Sequence, residues 1–230
     1  MPASPPYLDP DQYAVLAAAC ERLIPAVDGH PGATALGVPD YIDGLLGAFL
    51  VDPPRIYAGG PFSGRFGGDA TFADFTPLGR LEELAWRTRI EGSQGIAERE
   101  YNGPVPGWQA VYRDGLAALG SDFPTVDRSE QKRRLEAAPG FRELLYEHAC
   151  EGAYGAPEYG GNRDGRGWQA IEFPGDVQPR GWTAEEMLAP DTSPPITAVQ
   201  LKKFDLQAAF LGLAGAPRSA QLPWKGRRGF

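Results

Sequence analysis

Apolar residues recur at three- and four-residue spacing through most of the chain, and no stretch alternates apolar and polar over the length of a strand. The first such segment carries Tyr13, Leu16, Ala17, Cys20, Leu23 and Ile24 on one helical stripe. Asp9, Pro10 and Gln12 form a capping-box-like start, and Pro25 stops the run. A second helix is predicted from Pro39, with Tyr41, Ile42, Leu45, Leu46 and Phe49 inward and Pro53-Pro54 as its end. A third is predicted from Thr76-Pro77, with Leu78, Leu81, Leu84 and Ala85 as its stripe and Trp86 beside it. Trp108, Val111, Tyr112, Leu116 and Leu119 mark a fourth, followed by a short charged helix over Ser129–Ala137. After Pro139-Gly140, one face carries Phe141, Leu144, Leu145 and His148, with Tyr146 and Cys150 off it. A last helix is predicted over Thr197–Leu213, its buried side drawn from Val199, Leu201, Phe204, Ala208 and Leu211.

Six or seven such helices and no repeat predict an all-α fold, an irregular bundle in one domain over residues 1–230. Residues 1–8 and 214–230 read as extended tails. Two long loops interrupt the pattern, near 52–76 and 152–197. The second opens with GAYGAPEYGGNRDGRGW (152–168), whose glycines argue against both helix and strand. Loops of this length without secondary structure are usually functional or disordered, and the aromatic rings in these two favour order.

Composition sharpens this picture in three places. The chain has 30 glycines and 23 prolines, yet 42% hydrophobic residues, so the excess belongs to ordered connections around a real core. The net charge of −8, with no basic stripe, argues against a nucleic-acid partner. No acid follows Asp205, whereas Arg218, Lys225, Arg227 and Arg228 do; this end reads as a solvated tail or as one that docks on an acidic partner. The two cysteines, Cys20 and Cys150, are not a C-x-x-C pair. They read as two buried free thiols, with a disulfide between them or a bond from Cys150 to a partner as alternatives. No apolar run reaches the length of a membrane span, and the amino terminus shows no signal peptide or twin arginine. The expectation is therefore a cytoplasmic protein, with export on a signal-bearing partner as the alternative.

The chemistry-bearing motifs are few. GGPFSGRFGGD (59–69) lacks dinucleotide spacing, and no P-loop, G-x-S-x-G or H-E-x-x-H occurs. His148 and Glu151, three apart on one helix, could serve a metal ion; the plainer reading is a helix-end histidine. Glu91 and Glu151 could pair as acids for glycoside chemistry, but nothing fixes their separation. Tyr154, Tyr159, Trp168 and Trp182 could stack on sugars or anchor the loop, and Arg163, Arg166 and Arg180 among them suit an interface. For Asn162 the expected use is to satisfy turn backbone groups or to occupy a left-handed position.

The stretch EGAYGAPEYGGNRDGRGWQAIEFPGD (151–176) resembles the signature of the gluconate 2-dehydrogenase subunit 3 family. That pattern runs H-x-x-E-G, Y-G-x-P-x-Y-G-G-N, a tryptophan and F-P-G. His148, Glu151, Gly152, Tyr154, Gly155, Pro157, Tyr159, Gly160, Gly161, Asn162, Trp168, Phe173, Pro174 and Gly175 match it. ERLIPAVDGHPGATALGVPDYID (21–43) looks like the family's first helix and the segment after it, so the likeness spans about residues 8–175. The resemblance implies an accessory subunit without a cofactor of its own. Its partner would be a large FAD-dependent oxidoreductase of the glucose–methanol–choline type acting on sugars, polyols or sugar acids, with a cytochrome as a further partner. It would support folding, maturation or export of the large subunit. On this reading Tyr154, Tyr159, Gly160, Gly161, Asn162, Trp168, Phe173 and Trp182 bind the partner. A stand-alone metal-dependent hydrolase or lyase using His148 and Glu151, and a carbohydrate-binding module, are the competing readings.

Overall fold

The computed structural model describes residues 6–52, 54, 56 and 78–173; the helix predicted over 197–213, Trp182, both ends of the chain and most of the 52–76 loop lie outside the described residues. Seven α-helices and four short 3-10 turns make up the regular structure there, with no sheet among the described residues. None of these helices is long and apolar enough to cross a membrane.

Helix α1 spans Pro10–Leu23. Its capping box forms as the sequence predicts: the Gln12 amide donates to Asp9 Oδ1 (2.8 Å), and the Asp9 amide donates to Gln12 Oε1 (3.2 Å). The buried stripe is Val15, Leu16, Ala19 and Cys20, so it is rotated slightly from the expected one, and Ala17 lies at its edge. Helix α2 spans Val38–Leu46, with Ile42 and Leu46 fully buried. It ends at Gly47, ahead of the predicted Pro53-Pro54 stop, because Ala48–Leu50 tightens into a 3-10 turn. The expected tail over residues 1–8 is strapped down from Tyr7 onward. The amides of Tyr7 and Leu8 donate to Asp43 Oδ1 (3.1 and 2.8 Å), and Leu8 is buried.

Helix α3 spans Arg80–Glu91. It starts later than the predicted Thr76-Pro77, with the Gly79 amide held by Glu82 Oε2 at 2.7 Å. Its inward residues also differ from the expected stripe. Leu81 is 78% exposed, whereas Ile90 is fully buried and Trp86 packs in a small cluster with Ala48, Ile56 and Trp108. The helix lies chiefly against α4 (Gly107–Leu119), with Trp86 edge-on to Trp108. Gly92 and Gly107 both have positive φ, and a Cβ on Gly107 would strike the backbone of Glu91 and Gly92, so this junction needs glycine.

Tyr112, Leu116 and Leu119 of α4 meet α1, α5 (Arg128–Glu136) and α6 (Pro139–Tyr154) in the main core. Asp127 caps α5, whose exposed face carries Glu130, Arg133 and Arg134 in a network with Asp122. Phe141, Leu145, His148 and Ala149 form the buried face of α6. Tyr146 is exposed and Cys150 half-buried, as the periodicity predicts.

The stretch 152–168 is mostly helical, against expectation. Gly152, Ala153 and Tyr154 close α6, two 3-10 turns follow at Pro157–Tyr159 and Arg163–Gly165, and α7 spans Arg166–Ala170. The glycines suit it through space and sign of φ rather than through propensity. Gly152 faces the Tyr41 ring, Gly161 and Gly167 lie against the Gly152 and Ala153 carbonyls, and Gly160 and Gly165 have positive φ.

Candidate functional site

Asn162 is the centre of the folded 155–173 segment. It is fully buried and left-handed (φ 42°). Its Nδ2 donates to the Gly155 carbonyl (2.8 Å), its Oδ1 accepts from the Gly167 amide (2.8 Å), and its own amide donates to the Gly152 carbonyl (2.6 Å). Both expected uses of Asn162 are thus present. Trp168 is buried against the same core, and its Nε1 donates to the Tyr154 carbonyl at 2.6 Å. Tyr154 in turn hydrogen-bonds His30 Nε2 through its hydroxyl (2.9 Å). Of the residues matched to the partner-binding role, Gly161, Asn162 and Trp168 therefore point inward, whereas Gly160 and Phe173 lie at the surface and Tyr159 is half-buried. The exposed Phe173 ring meets Trp168 edge-on, with centroids 5.4 Å apart.

Beside this segment opens a cavity of about 860 Å³. Its apolar wall carries Trp86, Trp108, Leu45 and Ile56. Tyr41, Asp40 and Asp43 come from α2, Glu147, His148 and Glu151 from α6, and Tyr159, Gly160 and Arg163 from the folded segment. Arg89 closes the α3 side, its guanidinium 5.2 Å from the Trp86 ring centre and 5.7 Å from that of Trp108. Arg163 pairs with Asp40, and its amide donates to the Leu36 carbonyl, which locks the segment to the start of α2.

His148 lies in this wall but is only 2% exposed. Its Nδ1 hydrogen-bonds the Tyr112 hydroxyl (2.9 Å), its ring packs edge-on to Trp108 (4.5 Å), and Nε2 has no hydrogen bond among the described residues. Burial lowers its pKa to about 4, so the ring is neutral at pH 7. Glu151 Oε2 accepts from the Tyr41 hydroxyl (2.9 Å), and burial, then the Glu151 charge, raises the Tyr41 pKa. His148 and Glu151 thus share one cavity, yet no three His, Cys, Asp or Glu side chains come together as metal ligands among the described residues. Glu91 is outside this wall, with one oxygen on Arg87 (2.7 Å) and the other on Arg99 (3.0 Å), so the structure does not pair it with Glu151. Cys20 is buried, Cys150 is half-buried, and both are free, so no disulfide joins them.

Tyr41, Asp40, Asp43, Trp86, Arg89 and Trp108 were not foreseen as site residues. They come from three helices far apart in sequence. Glu147 was not foreseen either; outside the glycine-rich motif, the local signal was the His148–Glu151 pair, three residues apart on one helix.

Taken together, the described residues define a helical domain with an internally hydrogen-bonded, glycine-rich motif beside an aromatic, acid-lined cavity. The chain belongs to the gluconate 2-dehydrogenase subunit 3 family, whose model matches residues 10–175. By that family's name, the chain is a subunit of a multi-subunit oxidoreductase. No curated protein and no solved structure matches it.

Proposed function

We propose that this chain is a non-catalytic accessory subunit of a flavin-dependent sugar, polyol or sugar-acid oxidoreductase. It supports folding, maturation or stability of a large subunit of the glucose–methanol–choline type, which holds the FAD. A cytochrome or another carrier takes the electrons onward. The observation that carries the reading is the family match over residues 10–175, which includes the internally bonded motif around Asn162. That motif is held by its own hydrogen bonds and exposes Gly160 and Phe173, which is consistent with a docking surface. That no three His, Cys, Asp or Glu side chains gather as metal ligands among the described residues favours this over a stand-alone metal enzyme.

The test is co-purification of the tagged chain from its native host with an absorbance scan of the eluate. The expected result is a larger flavoprotein whose flavin bands bleach when its sugar or polyol substrate is added, while the lone chain is colourless and inactive. A flavin spectrum or stoichiometric metal with activity in the lone chain would overturn the reading. Fractionation of the same cells decides between a cytoplasmic complex and export with the partner.

A further inference from the structure

The carboxyl-terminal end of α6 carries two exposed carboxylates, Glu147 and Glu151, without an ion pair among the described residues. Glu147 and Glu151 stand four residues apart on one face, a like-charge pair that destabilises a helix. Glu151 lies in the last turn, where the helix dipole already favours a positive charge, and no basic residue is present there. His148, between them, is neutral and cannot supply one.

The rest of the cavity wall has its charges largely accounted for. Asp40 is held by Arg163, and Asp43 by the Tyr7 and Leu8 amides. Arg89, on α3, is stacked beside the two tryptophans. Glu147 has no hydrogen bond or ion pair among the described residues, and Glu151 keeps one oxygen unused. An independent feature points the same way: His148 is 2% exposed, forms part of the wall, and leaves Nε2 without a partner. The neutral ring carries one proton; in the tautomer with that proton on Nδ1, facing the Tyr112 oxygen, Nε2 is an acceptor, and the docking below requires this tautomer. The α6 side of the cavity then offers only acceptors, next to the apolar surface of Trp108 and Leu45.

We infer that this cavity receives an arginine or lysine side chain from a segment of the large subunit, its head group against Glu147, Glu151 and His148 and its aliphatic stem along Trp108. The inference rests on the accessory-subunit reading and assigns that subunit's docking point. Long basic side chains bury their stems on apolar surface while the charged head finds acceptors, and the wall has both. Charge complementarity also sets the partner's sign: the wall holds four carboxylates and two guanidinium groups.

The test is titration of the purified large subunit with the native chain, a Glu147→Gln/Glu151→Gln double variant and a Glu98→Gln control, at low and high salt. Glu98 lies outside the cavity, on the 3-10 turn Ala97–Arg99. Glutamine at 151 keeps an acceptor for Tyr41, so the double variant is expected to fold, which circular dichroism and its unfolding midpoint check. The expected result is binding weakened about tenfold or more, with a flatter salt dependence, in the double variant alone. A folded double variant with native affinity and native salt dependence would overturn the docking point and leave the accessory reading standing. If the native chain itself does not bind the large subunit, both fall.

Discussion

At the residue scale, Asn162 and His148 are buried polar groups with different consequences. Replacing Asn162 by alanine strands the Gly155 carbonyl and the Gly167 amide and puts a Cβ-bearing residue at φ 42° without compensation. The expected loss is about 3 kcal/mol in urea unfolding, and Asn162→Gly recovers about 1 kcal/mol of it, the backbone share. His148 makes stability depend on pH. Its native pKa of about 4 lies below its unfolded value near 6.5, so between these values the unfolded chain binds more protons than the native one. Stability is therefore full above pH 6.5, falls as pH drops toward 4 by about 3 kcal/mol, and then levels. Urea midpoints measured across pH 4–7.5 should show this slope in the native chain and lose it in His148→Gln.

At the scale of elements, the 155–173 segment depends on close backbone approach. A methyl on Gly167 would strike the Ala153 carbonyl, whereas one on Gly160 meets open space and costs only the strain of φ 98°. Gly167→Ala is expected to release the segment, seen as new protease cleavage within residues 155–173 while the α1–α6 core stays folded. Gly160→Ala is expected to cost about 1 kcal/mol without new cleavage. The same segment shows what the sequence could and could not reveal. The helices were legible from periodicity, and the cap of α1 down to its two residues, because those signals are local. The helical turns of 155–170 were not, since Gly161 and Gly167 act through carbonyls on another element and propensity carries no record of that. The rotated face of α3 has a similar cause: Leu81 fits the stripe but is exposed, whereas Trp86 packs on Trp108 and Ile90 is buried. The cavity was the least legible feature. It is assembled from α2, α3, α4, α6 and the segment after α6, and only the motif residues and the His148–Glu151 pair could be singled out beforehand.

At the scale of the whole molecule, the chain is acidic overall, and an acidic surface binds a basic one with a rate and affinity that salt weakens. The complex with the large subunit is expected to dissociate more readily as ionic strength rises, which gel filtration at low and high salt would show as a shift from one peak to two. If it instead survives high salt unchanged, apolar contact dominates the interface.

The strap formed by Tyr7 and Leu8 on Asp43 has a practical corollary. Pro6, immediately ahead of it, borders the cavity, so a label attached to this residue stands at the opening. A bulky label at Pro6 would sit in the doorway, where it would compete with an incoming partner and report a false negative. The same position makes this end a natural mounting point for a distance probe, since a dye attached there would register occupancy of the opening directly.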